Sequence, residues 1–287
     1  LAPIFFGGYA EIMDSFDPEI VLKTMKNENI TGFFGVPTHF HSILSLEQSI
    51  LNNSRSHQLK SIISNAAALP QQIKEQIIEH FGEGLLHETY GSTEGGIISN
   101  LRPDDQLKKL QCVGQAFPCT EIKTLTESGN ICEPNEVGEL FSTSPYLFNG
   151  YWKRPDETKE ALVDGWLTVG DMARQDEDGY LYIVDRKKDM VISGGINIYP
   201  REIEDVLYNH PNIEDVAVIG VPDEKWGESL KAFIVANNPD ELQSEDVLSF
   251  CEQNISKIKT PKIIEFIDTI PRNANGKVLK TALKKDS

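Results

Sequence analysis

Apolar residues recur along the first ninety positions with two alternating spacings. FDPEIVLKTMKNENI carries them three and four apart, with Asp17 placed to cap and Pro18 at the first helical position, and this predicts a helix. TGFFGV reads as a short buried strand, and PTHFHSILSLEQ as a helix again opened by proline. LKSIISNAAAL reads as an apolar strand ending in small residues, and PQQIKEQIIEHF as an amphipathic helix stopped by Gly82. LLHETYGSTEGG reads as a strand running into a loop. Strands alternating with helices predict a mostly parallel sheet, and such sheets bind ligands at the carboxyl ends of their strands. Both NAAAL and YGSTEGG fall at such ends.

From about Gln111 the spacing shortens. QCVGQAF, TEIKTL, GELFSTS and YLYIVD are strand-like runs separated by turn signals such as ESGN and EDG, which predicts a β-rich subdomain. DRKKD follows, without an apolar residue, and reads as a hinge. Beyond it PREIEDVLYNH and SEDVLSFCEQNI read as helices, and DVAVIGV, SLKAFIVAN and KIIEFID as strands. These expectations divide the chain into residues 1–187 and 188–287, with the β-rich part from about 111; the second unit is long enough to fold as a small α+β domain.

Composition narrows the picture. With 287 residues, 39% hydrophobic and 25% charged, the chain suits one large or two ordinary soluble globular domains. A net charge of −17 argues against nucleic acid as a bulk electrostatic partner but leaves room for a small anion held by local lysines. Cys112, Cys119, Cys132 and Cys251 show no CxxC spacing and read as reduced thiols of a cytoplasmic protein. No apolar run reaches membrane-spanning length. The first residue is Leu1, opening into an apolar run, so the chain reads as the C-terminal part of something longer.

Four strings carry candidate chemistry, and each has a plainer reading. In YGSTEGG the Tyr90 ring can stack on a base, Ser92 and Thr93 can donate to phosphate, and Glu94 can hold Mg2+; alone, a polar turn is the better reading. In GWLTVGDMA, Asp171 follows Gly170 at an expected exposed turn, where it could accept from two ribose hydroxyls or merely cap the turn. In DRKKDMVISGGINIYPREIE the charges ordinarily mark a solvated face, and Gly194 and Gly195 permit close backbone approach to a ligand. In PRNANGKVLK, Lys277 follows an Asn–Gly turn and would ordinarily be a surface lysine.

Together and in this order, YGSTE, GW-x-x-x-GD, DRKKD-x-x-x-SGG-x-N-x-x-P-x-E-IE and NGK resemble the adenylate-forming superfamily of acyl-CoA synthetases, luciferases and peptide-synthetase adenylation domains, across essentially the whole chain. The resemblance implies an α/β fold: the C-terminal part of a large adenylate-forming domain with a β-rich subdomain, then a small mobile α+β domain. It implies nucleotide binding by Tyr90, Gly91, Ser92, Thr93, Asp171, Arg186 and Ala67, with Tyr90 on adenine, Thr93 on the α-phosphate and Asp171 on the ribose. Glu94 would hold Mg2+, Lys277 would serve adenylation, and Thr93 and Glu94 would join it as catalytic residues. Lys188 would be the hinge, Gly194, Gly195 and Trp226 would meet CoA, and His39, Asn65 and Ala66 would border the acyl pocket. Family members often write GAAPL where this chain has NAAAL, so the loop departs from the family's pattern at Asn65 and at Ala68, where the proline is missing.

The implied reaction joins a carboxylic acid to ATP as acyl-adenylate and pyrophosphate, then passes the acyl group to CoA. A medium- or long-chain fatty acid is the first expectation and an aryl acid the second. The chain ends soon after Lys277, which favours a stand-alone ligase over a peptide-synthetase module. The family's Ser/Thr/Gly-rich phosphate loop has no counterpart here. The expected cause is a partial sequence, and the alternative is a catalytically incomplete nucleotide- or CoA-binding fragment. Either way the chain alone is expected to adenylate weakly or not at all, and exposed apolar surface near Ile4, Phe5 and Phe6 is expected to limit its solubility.

Overall fold

Proline and a capping aspartate start the first helix as the pattern requires. In the computed structural model, which describes residues 5–239, 241–273 and 276–285, Asp17 Oδ1 accepts from Ile20 N at 2.8 Å and α1 runs Pro18–Asn27. The run PTHFHSILSLEQ does not stay one helix. α2 ends at Leu44 after starting at Pro37, Ser45 Oγ donates to the His41 carbonyl at 2.8 Å, and α3 (Gln48–Ser54) starts separately. The serine satisfies a terminal carbonyl, so the backbone can leave the helix there. α4 spans Gln71–Phe81 and stops at Gly82.

These helices pack on a sheet of β1 (Gly32–Gly35), β2 (Ser61–Ser64), β3 (Leu86–Ser92), β4 (Gly96–Leu101) and β5 (Gln115–Ala116), in that order. β1–β2 and β2–β3 are parallel, whereas β3–β4 and β4–β5 are antiparallel. The sheet is therefore mixed, not mostly parallel, because YGSTEGG turns straight back as a hairpin. Only Gln115–Ala116 of QCVGQAF is strand, and it joins this first sheet. Phe40, Ile43, Ile62, Ile77 and Leu86 are fully buried between sheet and helices.

A second sheet holds β6 (Glu121–Leu125), β7 (Gly138–Thr143), β8 (Leu162–Val163), β9 (Trp166–Leu167), β10 (Asp171–Gln175) and β11 (Leu181–Arg186), with α5 (Pro155–Ala161) beside it. A 3-10 turn at Lys187–Asp189 leads to a third sheet. Lys187 is fastened beside the second sheet by its N–H to Gly170 O at 2.8 Å and its ammonium to Glu139 at 2.7 Å.

The third sheet contains β12 (Val191–Ser193), β13 (Ile196–Ile198), β14 (Ile213–Asp223), β15 (Gly227–Ala236) and β16 (Ile263–Phe266). Both faces of β14 are covered, which explains its unbroken apolar run. Val216 and Val218 face α6 (Pro200–Leu207) and α7 (Ser244–Asn254), while Ala217 and Ile219 face Ile270 and Leu283, the latter on α8 (Lys280–Leu283). Among the described residues, no helix is long and apolar enough to cross a membrane.

Contacts among the described residues tie this third unit to the preceding ones. Asp185 Oδ2 accepts from Arg201 N at 3.0 Å, so a carboxylate on β11 caps the first turn of α6. Gln111 Nε2 donates to Asp205 Oδ2 at 3.2 Å. Gly276 lies against Thr38, such that a Cβ there would be 3.4 Å from Thr38 Oγ1.

Candidate functional site

The site forms where the ends of β3, β10 and β11 meet the loop carrying Lys277. Asp171 opens β10 and is buried, not exposed at a turn as its Gly-Asp context predicts. The pairing of β10 with both β7 and β11 pulls it inside. A buried carboxylate needs partners, and Asp171 has two: Arg186 Nε at 2.6 Å from Oδ1, and the Tyr90 hydroxyl, which donates to Oδ2. Burial, and after it the charge of Asp171, pushes the Tyr90 phenol well above its ordinary value, so it stays a donor.

Lys277 joins this group from the other side. Its N–H donates to Asn273 Oδ1 at 3.0 Å, Asn273 N donates back to Lys277 O at 2.9 Å, and Arg272 Nη1 holds Gly276 O at 2.8 Å. Arg272 is in turn fixed by Asp215 of β14 at 2.8 Å. Asn275 of the Asn–Gly turn lies outside the described residues. Desolvation lowers the Lys277 pKa most, and Arg186 and Lys188 lower it further, against the opposing pull of Asp171 and Asp189. Lys277 thus lies in the field of both cations and carboxylates, and its partial desolvation disfavours the charged form.

Glycine at 91 has a specific reason. β3 and β4 close so tightly that a Cβ at Gly91 would lie 2.0 Å from the Gly96 carbonyl oxygen. Ser92 Oγ accepts from Gly95 N at 3.0 Å and so braces the hairpin, leaving Thr93 exposed at its tip. Glu94 follows, with Oε1 accepting from the Tyr151 hydroxyl at 2.7 Å. Among the described residues no donor meets its Oε2, and no cluster of three His, Cys, Asp or Glu could cage a metal. That donor set fits Mg2+, which binds through one or two carboxylates plus phosphate oxygens and water.

The NAAAL loop wraps the same strand end. Asn65 Nδ2 donates to Thr89 Oγ1 at 2.7 Å, and Ala66, at φ 75°, takes the left-handed conformation and bonds to the Asn65 side chain. Leu69 N donates to Glu88 Oε1 at 3.2 Å, while Glu88 Oε2 pairs with the buried Lys74 at 2.5 Å. Ala67 is exposed at the loop tip. His39 stacks on Phe16 with ring centroids 4.0 Å apart, one residue from the Thr38 that meets Gly276. Gly194 and Trp226 form a second group on the third sheet: Gly194 N donates to Trp226 O at 2.9 Å, and a Cβ at Gly194, whose φ is 58°, would strike the indole at 2.8 Å. Gly195 is open beside them, and Lys225 and Lys262 lie over the Trp226 ring at 4.9 and 5.6 Å. Sequence reading missed Tyr151, Glu88, Lys74 and Thr38, whose strings carry no signal beyond ordinary core or turn residues.

The chain is similar to known proteins over nearly all of its length. The model of the AMP-binding enzyme family matches residues 1–152, and that of the AMP-binding enzyme C-terminal domain matches residues 202–277. The chain is 37% identical over 273 residues to a long-chain-fatty-acid–CoA ligase of Bacillus subtilis (strain 168), covering 95% of this chain and 48% of that one. It is 35% identical over 288 residues to a feruloyl-CoA synthase of Amycolatopsis sp, covering 99% and 57%. Its fold superposes on O-succinylbenzoate coenzyme A synthetase from Bacillus subtilis, solved in complex with ATP and magnesium ion, with a TM-score of 0.88, 29% identity and coverage of 98% and 57%. The chain spans about half the length of the curated relatives it matches. It belongs to the AMP-binding enzyme family, the adenylate-forming enzymes.

Proposed function

We propose that the protein acts as an AMP-forming acid–CoA ligase, activating a carboxylic acid with ATP and transferring it to CoA. One observation supports the reading: the turn-held Lys277 lies near enough to Asp171 and Arg186 for their charges to act on its ammonium, and Asp171 is the buried carboxylate that Tyr90 and Arg186 hold at the strand ends. In this reading Asp171 and Arg186 hold the ribose, Tyr90 faces adenine with Gly91, Ser92 and Ala67 around it, and Thr93 donates to the α-phosphate. Glu94 is the protein's ligand to Mg2+, which would offset phosphate charge when bound. Negative charge grows as the acid's oxygen attacks the α-phosphorus, and the Lys277 ammonium is placed to stabilise it. His39, Asn65 and Ala66 border the acid, and Gly194, Gly195 and Trp226 meet CoA in the second half-reaction.

A medium- or long-chain fatty acid is the preferred substrate and an aryl acid the second. The long-chain-fatty-acid–CoA ligase and the feruloyl-CoA synthase support one each, at 37% and 35% identity. The four thiols are free, which suits the cytoplasm. The test is a panel of aliphatic and aryl acids on the full-length enzyme, reading acid-dependent ATP–pyrophosphate exchange and thioester formation separately. Thioester formed only from fatty acids supports the first choice. Exchange with no thioester from any acid would leave adenylation standing and remove CoA ligation.

A further inference from the structure

Glu94 does not stand free at its hairpin tip. The Tyr151 hydroxyl reaches it across 57 residues of chain at 2.7 Å. The segment bearing that tyrosine is fastened at several points. Phe148 N donates to the Glu94 carbonyl at 2.7 Å, Tyr151 N donates to Thr158 Oγ1 at 2.9 Å, and Thr158 Oγ1 donates to Arg154 O at 2.7 Å on α5. The Phe148 and Tyr151 rings meet edge to face at 4.8 Å. Tyr151 is 36% exposed, so its ring is no core element, and the hydroxyl is what makes the long-range contact.

We infer that Tyr151 is a positioning residue that holds the Glu94 carboxylate ready for a divalent cation; the inference rests on the proposed reading of Glu94 as the Mg2+ ligand. A phenol donating to Oε1 fixes the carboxylate's rotation and leaves Oε2 for the ligand. Outer partners of this kind typically change metal affinity about 10- to 100-fold when removed.

Mn2+ serves as the probe, its binding followed by electron paramagnetic resonance with and without ATP, in the wild type, Tyr151→Phe, Thr158→Val and Glu94→Gln. Phenylalanine keeps the ring and removes only the hydroxyl. The expected result is an ATP-dependent Mn2+ site weakened about tenfold in Tyr151→Phe, less in Thr158→Val and most in Glu94→Gln. ATP affinity in EDTA and the melting temperature should stay at the wild-type values in Tyr151→Phe. A strong loss in Glu94→Gln with none in Tyr151→Phe overturns the role of Tyr151 alone. Equal weakening of metal-free ATP binding in Tyr151→Phe also overturns it, because the hydroxyl would then act on nucleotide or fold. No ATP-dependent Mn2+ site in the wild type, or no loss in Glu94→Gln, removes the reading of Glu94 and the inference with it.

Discussion

Lys277 and Asp171 illustrate how differently two residues with equally plain sequence contexts are treated. Asp171 is inside, with its two oxygens used by Arg186 and Tyr90, whereas Lys277 is held at a turn by hydrogen bonds of its backbone, and its ammonium lies in the field of Asp171 and Arg186. If Lys277 offsets charge that develops only in adenylation, Lys277→Ala in the full-length enzyme should slow acyl-adenylate formation about 100-fold or more. Thioester formation from supplied acyl-adenylate should change little. Rapid-quench measurement of the two half-reactions decides, and equal losses would remove the assignment. Asp171→Asn leaves Arg186 without its ion pair and makes Tyr90 share a neutral amide. Because the Arg186 side chain is 34% exposed and water can compensate it, the cost to folding should be modest, about 1–2 kcal/mol by thermal or denaturant unfolding. Nucleotide affinity should fall further than stability does; an unchanged affinity would show that the pair is only structural.

At the scale of elements, the turn at Lys187–Asp189 separates what is fastened to the second sheet from what belongs to the third. Lys187 is bonded to Gly170 and Glu139, and the chain reaches β12 only four residues later. A hinge at Lys188 would need backbone rotation at that one residue, as small-domain closures commonly do. Lys188→Pro restricts φ there. It should impair one half-reaction by at least an order of magnitude more than the other, measured by pyrophosphate exchange against thioester release. A uniform effect would move the hinge elsewhere. The same scale explains what the pattern did not reveal. A helix stop at Ser45 comes from one hydroxyl bond to His41 O, and the reversal after Ser92 depends on Gly91 meeting Gly96 O; neither changes hydrophobic periodicity.

Across the whole molecule, the docked third unit places Asp205 of α6 against Gln111, with Asp185, Glu202 and Glu204 near it and Arg201 opposing them. Burial, the largest cause, raises the Asp205 pKa from 3.8 to about 6. A carboxyl whose folded pKa exceeds its unfolded one binds an extra proton when folded, so its contribution to stability is present below about pH 4 and lost as pH climbs to about 6. Melting curves of wild type and Asp205→Asn should therefore diverge between these values and run parallel above them, the wild type losing ground as pH rises. Parallel curves throughout would mean that Asp205 is hydrated. Phe5, Phe6, Tyr9 and Ile12 are exposed, in keeping with the expected apolar surface, while Ile4 lies outside the described residues.

The sequence by itself determined the α/β class, most helices and strands and which residues are candidates for the site. Apolar spacing follows directly from which face of an element is buried, and the four strings keep their chemistry whatever surrounds them. Only the tertiary structure decided that Asp171 is buried, that Asp185 caps a helix of another unit, that Glu88 and Lys74 anchor the Asn65–Leu69 loop, and that Tyr151 holds Glu94. These pairings join residues far apart in the chain and depend on strand register and docking, to which hydrophobic periodicity, a local property, is blind.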